Sequence, residues 1–233
     1  MTQTPIRDAA TVILVRDPSK DPHVLMGQRG ANAAFMPNKF VFPGGAVDAA
    51  DADVPLARKV ADPCATRLAG TTKSGNADGL LGAAIRELWE EAGLILGTRG
   101  RWTGNIPSDW QTFADTGHLP SADALHFVFR AITPPARPRR FDARFFLADA
   151  IHLASDPDDF SAATDELSHL QWIPLDRARQ FNLPFITEVV LAEISASLPD
   201  IGAPESVPFF NNSDEKSLFE RLGGQSPLAA AAK

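Results

Sequence analysis

The sequence predicts a mixed α/β (α+β) fold with a mixed β-sheet, and three observations lead there. Short runs rich in β-branched and aromatic residues are separated by turn signals, as in β-hairpins. Two longer stretches, Leu80–Ala92 and Pro184–Leu198, place apolar residues at helical spacing. Strands and helices also interleave irregularly, which argues against a doubly wound parallel sheet.

Each element follows from its own residues. "AATVILVRD", Ala9 to Asp17, reads as a strand ended by the turn "DPSKDP", and "HVLMGQRG", His23 to Gly30, as its hairpin partner. "KFVFPGG", Lys39 to Gly45, is a short strand halted by Pro43 and two glycines. The stretch from Ala46 to about Asp78 is polar and Ala-rich, with helical character near Pro55 to Val60. Leu81, Ile85 and Leu88 then form the apolar face of a helix stopped by Gly93, after which "LIL" opens a strand. "SDWQTFADTG" reads as a short helix capped by Ser108 or Asp109. "ALHFVFRAITPP", "RRFDARFFLADAI" and "LQWIPL" read as strands, the second with Phe141, Phe145 and Leu147 inward. "PLDRARQF" opens a helix, and "PFITEVVLAEISASL" is an amphipathic one built on Ile186, Val189, Val190 and Ile194. One domain is expected over residues 1–222, with a flexible tail over 223–233.

Composition narrows the function classes. The chain has 233 residues and a formal net charge of -7 without a long basic run, so neither nucleic acid nor an anionic membrane surface is expected as partner. The N-terminal apolar run is too short to span a bilayer and lacks a basic region before it. With Cys64 as the sole cysteine, no intrachain disulfide forms. A cytoplasmic protein is expected. Cys64 has no nearby histidine and reads as an incidental thiol. His126, His152 and His169 are scattered and read as structural.

The chemistry concentrates in "IRELWEEAGLIL". Glu87, Glu90 and Glu91 sit at i, i+3 and i+4, on one helix face, where like charges cost roughly 0.2–0.5 kcal/mol per pair. They also crowd the C-terminal half, where the helix dipole disfavours anions. A solvated face with Arg86 as local partner is one reading of "ExxEE"; a carboxylate site for a divalent cation is the other.

The flanks decide between them. "RELWEEAGL", Arg86 to Leu94, resembles the second half of the Nudix box, G-x5-E-x7-R-E-U-x-E-E-x-G-U with U apolar, at Arg86, Glu87, Leu88, Glu90, Glu91, Gly93 and Leu94. "FPGG", Phe42 to Gly45, is similar to the segment that opens many such boxes. Between Gly45 and Arg86 lie 40 residues, an excess of 27 over the family spacing, so an insertion is expected within about 49–76. Counting eight back from the arginine places Asp78 at the first box acid, and Asp48 matches an early acidic position.

The resemblance covers about Ala9 to Leu198 and implies an α/β/α sandwich, with the box as a loop-helix-loop. It further implies hydrolysis of a nucleoside diphosphate linked to another group, with Mg²⁺ or Mn²⁺ held primarily by Glu90 and Glu91 and with Glu87 as a further ligand or the catalytic base. Arg86 would orient a glutamate, and Gly44 and Gly45 would let substrate approach. Glu166, six residues before Trp172 and just ahead of the "LQWIPL" strand, would be a ligand or general base. Arg29 and Arg144 are candidates for substrate phosphates. The split box and "TPPARPRRFDARFFLA" resemble the branch linked to coenzyme A diphosphate hydrolysis; ADP-ribose, dinucleotides or a nucleoside triphosphate are alternatives. A non-catalytic ligand-binding module is the reading of another class. A homodimer is expected from the family and from Phe209, Phe210 and Phe219.

Overall fold

A computed structural model describes residues 4–72, 77–213 and 218–223. Among them the strands are β1 (Ile6–Arg16), β2 (His23–Arg29), β3 (Phe40–Val41), β4 (Gly44–Ala46), β5 (Gly97–Arg99), β6 (His118–Pro120), β7 (His126–Ile132), β8 (Arg140–Asp149), β9 (Leu167–Pro174), β10 (Val207–Asn211) and β11 (Leu218–Leu222). The helices are α1 (Cys64–Ala69), α2 (Ala77–Ala92), α3 (Gln111–Asp115) and α4 (Phe185–Ser197).

One sheet runs β11-β10-β7-β8-β1-β2-β3, with β4 beside β1 and β9 beside β2, while β5 and β6 pair separately. It is mixed: β1 runs parallel to β8 but antiparallel to β2 and β4. Strand β1 is apolar along its centre because both of its faces are covered. Ala10, Val12 and Leu14 join the core that includes Leu81, Ile85 and Leu88 of α2. Ile13 and Val15 join the opposite core with Val190, Leu191 and Ile194 of α4. Alternation along the strand thus feeds two helix–sheet interfaces, and the layers are α/β/α.

Several elements differ from expectation for local reasons. "KFVFPGG" divides at Phe42–Pro43 into β3 and β4, which pair with β2 and β1. "LIL", 94–96, is buried but extends into core before β5 begins at Gly97. Helix α3 is entered from Pro107 through a 3-10 turn, without a side-chain cap from Ser108 or Asp109. "PLDRARQF" forms only a 3-10 turn at Ala178–Gln180. No helix forms at Pro55–Val60; the helical pieces lie on either side, at Ala49–Ala52 and in α1.

The segment between β4 and α2 is built into the fold. Val54, Val60, Cys64 and Leu68 enter the α2-side core. The Ala57 N–H donates to the Pro120 carbonyl and the Ala122 N–H to the Arg58 carbonyl, both at 2.8 Å. Cys64 is buried, and burial raises its thiol pKa, as befits a packing residue.

Phe209 is 5% exposed and Phe210 and Phe219 are half-buried, so they form little open surface; Phe185, 68% exposed, packs on Phe210 instead. Of the tail expected over 223–233, all beyond Gly223 lies outside the described residues. No helix among the described residues is long and apolar enough to cross a membrane.

Candidate active site

Helix α2 lies along β1 and β4, and its second half turns Glu87 and Glu91 toward the glycines of β4. The Gly44 N–H donates to Glu91 Oε2 at 2.7 Å. A Cβ on Gly45 would collide with the Glu87 carboxylate, so only glycine lets this backbone approach so closely. Gly93, at φ +69°, ends α2. The backbone of Ala162 and Ala163 packs where its side chain would be, and the Thr164 N–H donates to the Glu90 carbonyl at 2.8 Å. That contact brings the following loop, with Asp165 and Glu166, to the end of the glutamate helix.

Arg86 is the hub. Its NH1 group donates to Glu87 Oε1 and Glu90 Oε2, each at 2.9 Å. Its NH2 group reaches the Ala46 carbonyl at 3.0 Å. Its Nε and NH2 pair with the two oxygens of Asp51 at 2.9 and 3.1 Å. Burial by itself would lower the Arg86 pKa. The hydrogen bonds to Asp51 and the charges of Glu87, Asp51 and Glu90 more than offset that, so the guanidinium stays charged.

Arg29 stands on the other side of the cluster, 3.0 Å from Glu166 and 3.8 Å from Glu91. Burial pushes Glu87 up to about 7 against the pull of Arg86. Burial also raises Glu90, tempered by Arg86. Glu91 is raised well above the usual carboxylate range, first by burial and then by Glu87. Its Oε1 is buried without a hydrogen-bond partner. Among the described residues no group of three or more His, Cys, Asp or Glu side chains is arranged to hold a metal ion. The carboxylates are partnered instead by the guanidinium of Arg86 and neighboured by that of Arg29.

The structure therefore brings together Arg86, Glu87, Glu90, Glu91, Gly44, Gly45, Arg29 and Glu166. It separates Arg144, which is 1% exposed. Arg144 donates to Asp8, to the Asp142 carbonyl at 2.7 Å and to the Thr71 carbonyl at 2.6 Å. Strand alternation places Arg140, Asp142 and Arg144 on one face. Arg144 is covered by the segment before α2 through the Thr71 carbonyl, and Arg140 is held by the Thr133, Asn212 and Ser213 carbonyls, so these arginines are structural ties rather than open anion contacts.

Asp78 also takes another place: it pairs with Lys59 at 2.6 Å, at the far end of α2. The acid that pairs with Arg86 is Asp51, 1% exposed, which sequence reasoning missed. The signal was present, because Gly45 followed by five residues and an acid leads to Asp51 when counted forward from the glycine. The extra residues then follow Asp51 instead of preceding it. Asp51→Asn is expected to cut turnover at least tenfold and to lower thermal stability, since a buried guanidinium loses its charged partner. Asp78→Ala is expected to change neither by more than about twofold, as an exposed pair contributes ~0–1 kcal/mol. Steady-state kinetics and melting curves of the two variants test the assignment; equal effects would contradict it.

The NUDIX domain family profile matches residues 5–193. Over 179 residues the chain is 32% identical to "Putative nudix hydrolase 7" of Caenorhabditis elegans, with 72% of this chain covered. It spans about half (51%) of that protein's length. The crystal structure of a NUDIX hydrolase from Alicyclobacillus acidocaldarius superposes with a TM-score of 0.58 at 28% identity, covering 85% of this chain and 99% of that one. With four-fifths of its residues inside the matched region and the box side chains gathered at one site, the chain belongs to the Nudix family.

Proposed function

We propose that this protein is a metal-dependent pyrophosphohydrolase that cleaves the diphosphate of a nucleotide-linked small molecule, with coenzyme A or an acyl-CoA as substrate. The observation that carries the reaction is the gathering of three carboxylates, Glu87 and Glu91 against Gly44 and Gly45 of β4 and Glu90 beside them, with Arg86 bonded to Glu87 and Glu90. So many acidic groups held in a partly dry site make it receptive to a divalent cation. The donor set fits such an ion: hard carboxylate oxygens suit Mg²⁺ or Mn²⁺, and Glu91 Oε1 is buried without a hydrogen-bond partner. Bound by Glu87, Glu90 and Glu91, the ion would supply neutralisation of phosphoryl oxygens and a lowered pKa for coordinated water.

The chain's own groups divide the remaining work. Gly44 and Gly45 let the backbone close against the glutamates, the Gly44 N–H holding Glu91 and the missing Cβ of Gly45 making space for the Glu87 carboxylate. Arg29, at the rim, offers a guanidinium to a phosphoryl oxygen. Glu166, exposed and held by Arg29, accepts the proton released as water attacks phosphorus. The new bond joins the water oxygen to that phosphorus, and the bond to the bridging oxygen breaks. The bridging oxygen then leaves with the second phosphate. Arg86 keeps Glu87 and Glu90 in place throughout.

Coenzyme A is favoured by the split box and by the stretch "TPPARPRRFDARFFLA", in which Arg137 and Arg139 stay exposed while Arg140 and Arg144 are buried. With Mg²⁺ and a panel of coenzyme A, ADP-ribose, diadenosine polyphosphates and nucleoside triphosphates, 3',5'-ADP release from coenzyme A is expected to have the highest kcat/KM. A preference for ADP-ribose would overturn the substrate assignment and keep the reaction class. No hydrolysis of any diphosphate would leave the non-catalytic binding module.

A further inference from the structure

We infer that Trp110, outside the glutamate helix, is a positioning residue of the active site. Its indole N–H steadies Asp51, Asp51 orients Arg86, and Arg86 holds Glu87 and Glu90. This rests on the reading that those glutamates bind the divalent ion.

The chain of contacts is continuous. Trp110 is fully buried, and its Nε1 donates to Asp51 Oδ1 at 3.1 Å. That oxygen also receives Arg86 Nε, while Asp51 Oδ2 receives Arg86 NH2 and, at 2.9 Å, the Asp48 N–H. Four donors thus hold a buried carboxylate in one orientation. Two come from the guanidinium it must aim, one from its own turn, and one from Trp110. Trp110 is the one donor that comes neither from the acid's own turn nor from the arginine it must aim, so it ties Asp51 to a third part of the fold.

The anchor is itself well held. Trp110 meets Phe113 edge-on at 5.4 Å and Trp102 at 5.8 Å. Trp89, between Glu87 and Glu90 on α2, meets Phe113 at 6.0 Å, and its indole N–H donates to Thr112 Oγ1 at 2.9 Å. The segment carrying Trp110 therefore grips both the acid before α2 and the helix that carries the glutamates. Phenylalanine at position 110 keeps an aromatic ring in the cluster but is smaller and lacks the N–H, so Trp102→Phe serves as the control for lost ring volume. Trp102 provides the internal contrast. Its N–H donates to the His118 carbonyl at 2.7 Å, away from the acidic cluster.

The test compares Trp110→Phe, Trp102→Phe and Glu90→Gln with the unmodified full chain. The dissociation constant for Mn²⁺ alone is measured by electron paramagnetic resonance of the free ion, beside the melting temperature in chelator. Trp110→Phe is expected to weaken Mn²⁺ binding about tenfold, as loss of outer partners does at metal sites. Trp102→Phe is expected to stay within about twofold of wild type, even where it lowers the melting temperature as much. Mn²⁺ binding by Trp110→Phe equal to wild type, or equal weakening by both tryptophan variants, would overturn the inference. If Glu90→Gln binds Mn²⁺ as wild type does, the metal-site reading itself fails, which is a separate outcome. A measurement on the unmodified protein covers the case of a misfolded variant: the indole ¹⁵N–¹H resonance of Trp110 is expected to shift on Mg²⁺ addition while that of Trp102 stays. The absence of any shift at Trp110 would count against the inference.

Discussion

Glu91→Gln is expected to reduce turnover by about a thousandfold or more while leaving the metal-free protein more stable than wild type. The two effects share one cause. Glu91 has a side chain 1% exposed, one oxygen bonded to the Gly44 N–H and the other without a hydrogen-bond partner. Burying a carboxylate that is incompletely paired costs stability, and burial followed by the charge of Glu87 raises its pKa well above the usual range. A neutral amide of the same shape keeps an oxygen for the Gly44 N–H and removes the charge. A gain of about 1 kcal/mol corresponds to roughly 2–4 °C in melting temperature for a chain of this size. The same substitution removes an anionic donor from the proposed cation site, where several kcal/mol of charge stabilisation would be lost, each ~1.4 kcal/mol being tenfold in rate. Melting curves in chelator and turnover with saturating Mg²⁺ read the two sides. A less stable variant would contradict the account of Glu91 as a strained anion, and near-normal turnover would contradict its place in the site. This is the pattern expected where function holds a residue against stability.

Arg86→Met is expected to destabilise the protein by about 3–5 kcal/mol, the usual cost of removing one partner from a buried ionic cluster. Methionine nearly fills the volume, so the loss reports charge and hydrogen bonds more than packing. Asp51 would retain only Trp110 and the Asp48 N–H, and Glu87 and Glu90 would face each other without the intervening cation. Turnover is expected to fall with stability. Arg86→Lys recovers little of either, because a single ammonium cannot copy the planar fork that engages three carboxylates at once. A double-mutant cycle separates this from general damage. Arg86→Met combined with Asp51→Asn should cost clearly less than the sum of the single changes, since each single change strands a charge that the other removes. Strict additivity would mean that the pair is not coupled.

The contrast between Asp51 and Asp78 shows which parts of the site can be read from residue order. From Arg86 to Glu91 every candidate side chain lies on one helix, and helical spacing places the side chains without further information. Across the split in the box, spacing carries no such guarantee. Counting back from the arginine leads to Asp78, on the exposed start of α2, paired with Lys59. Counting forward from Gly45 leads to Asp51, which the turn at Ala49–Ala52 folds under Arg86. The residues between are accommodated because Val54, Val60, Cys64 and Leu68 find places in the core.

Arg144 illustrates a different limit. Alternation along β8 correctly puts Arg140, Asp142 and Arg144 on one face, but it is silent on whether that face is open or covered. Here it is covered: the Thr71 carbonyl, in the segment before α2, and Asp8 take up the Arg144 guanidinium, while the Asn212 and Ser213 carbonyls take up that of Arg140. "PLDRARQF" is a related case: its composition permits a helix, yet the chain leaves after one 3-10 turn to enter α4.

The sequence by itself determined the mixed α/β class and the glutamate helix with Arg86 and its Gly93 stop. All of these follow from periodicity, turn chemistry and short-range spacing within single elements. Only the tertiary structure decided that Asp51 clamps Arg86, that Trp110 steadies Asp51, that Arg29 meets Glu166 and Glu91, and that Arg144 is buried. Each of those is a contact between residues far apart in the chain, and such contacts depend on which surfaces the packed layers bring together.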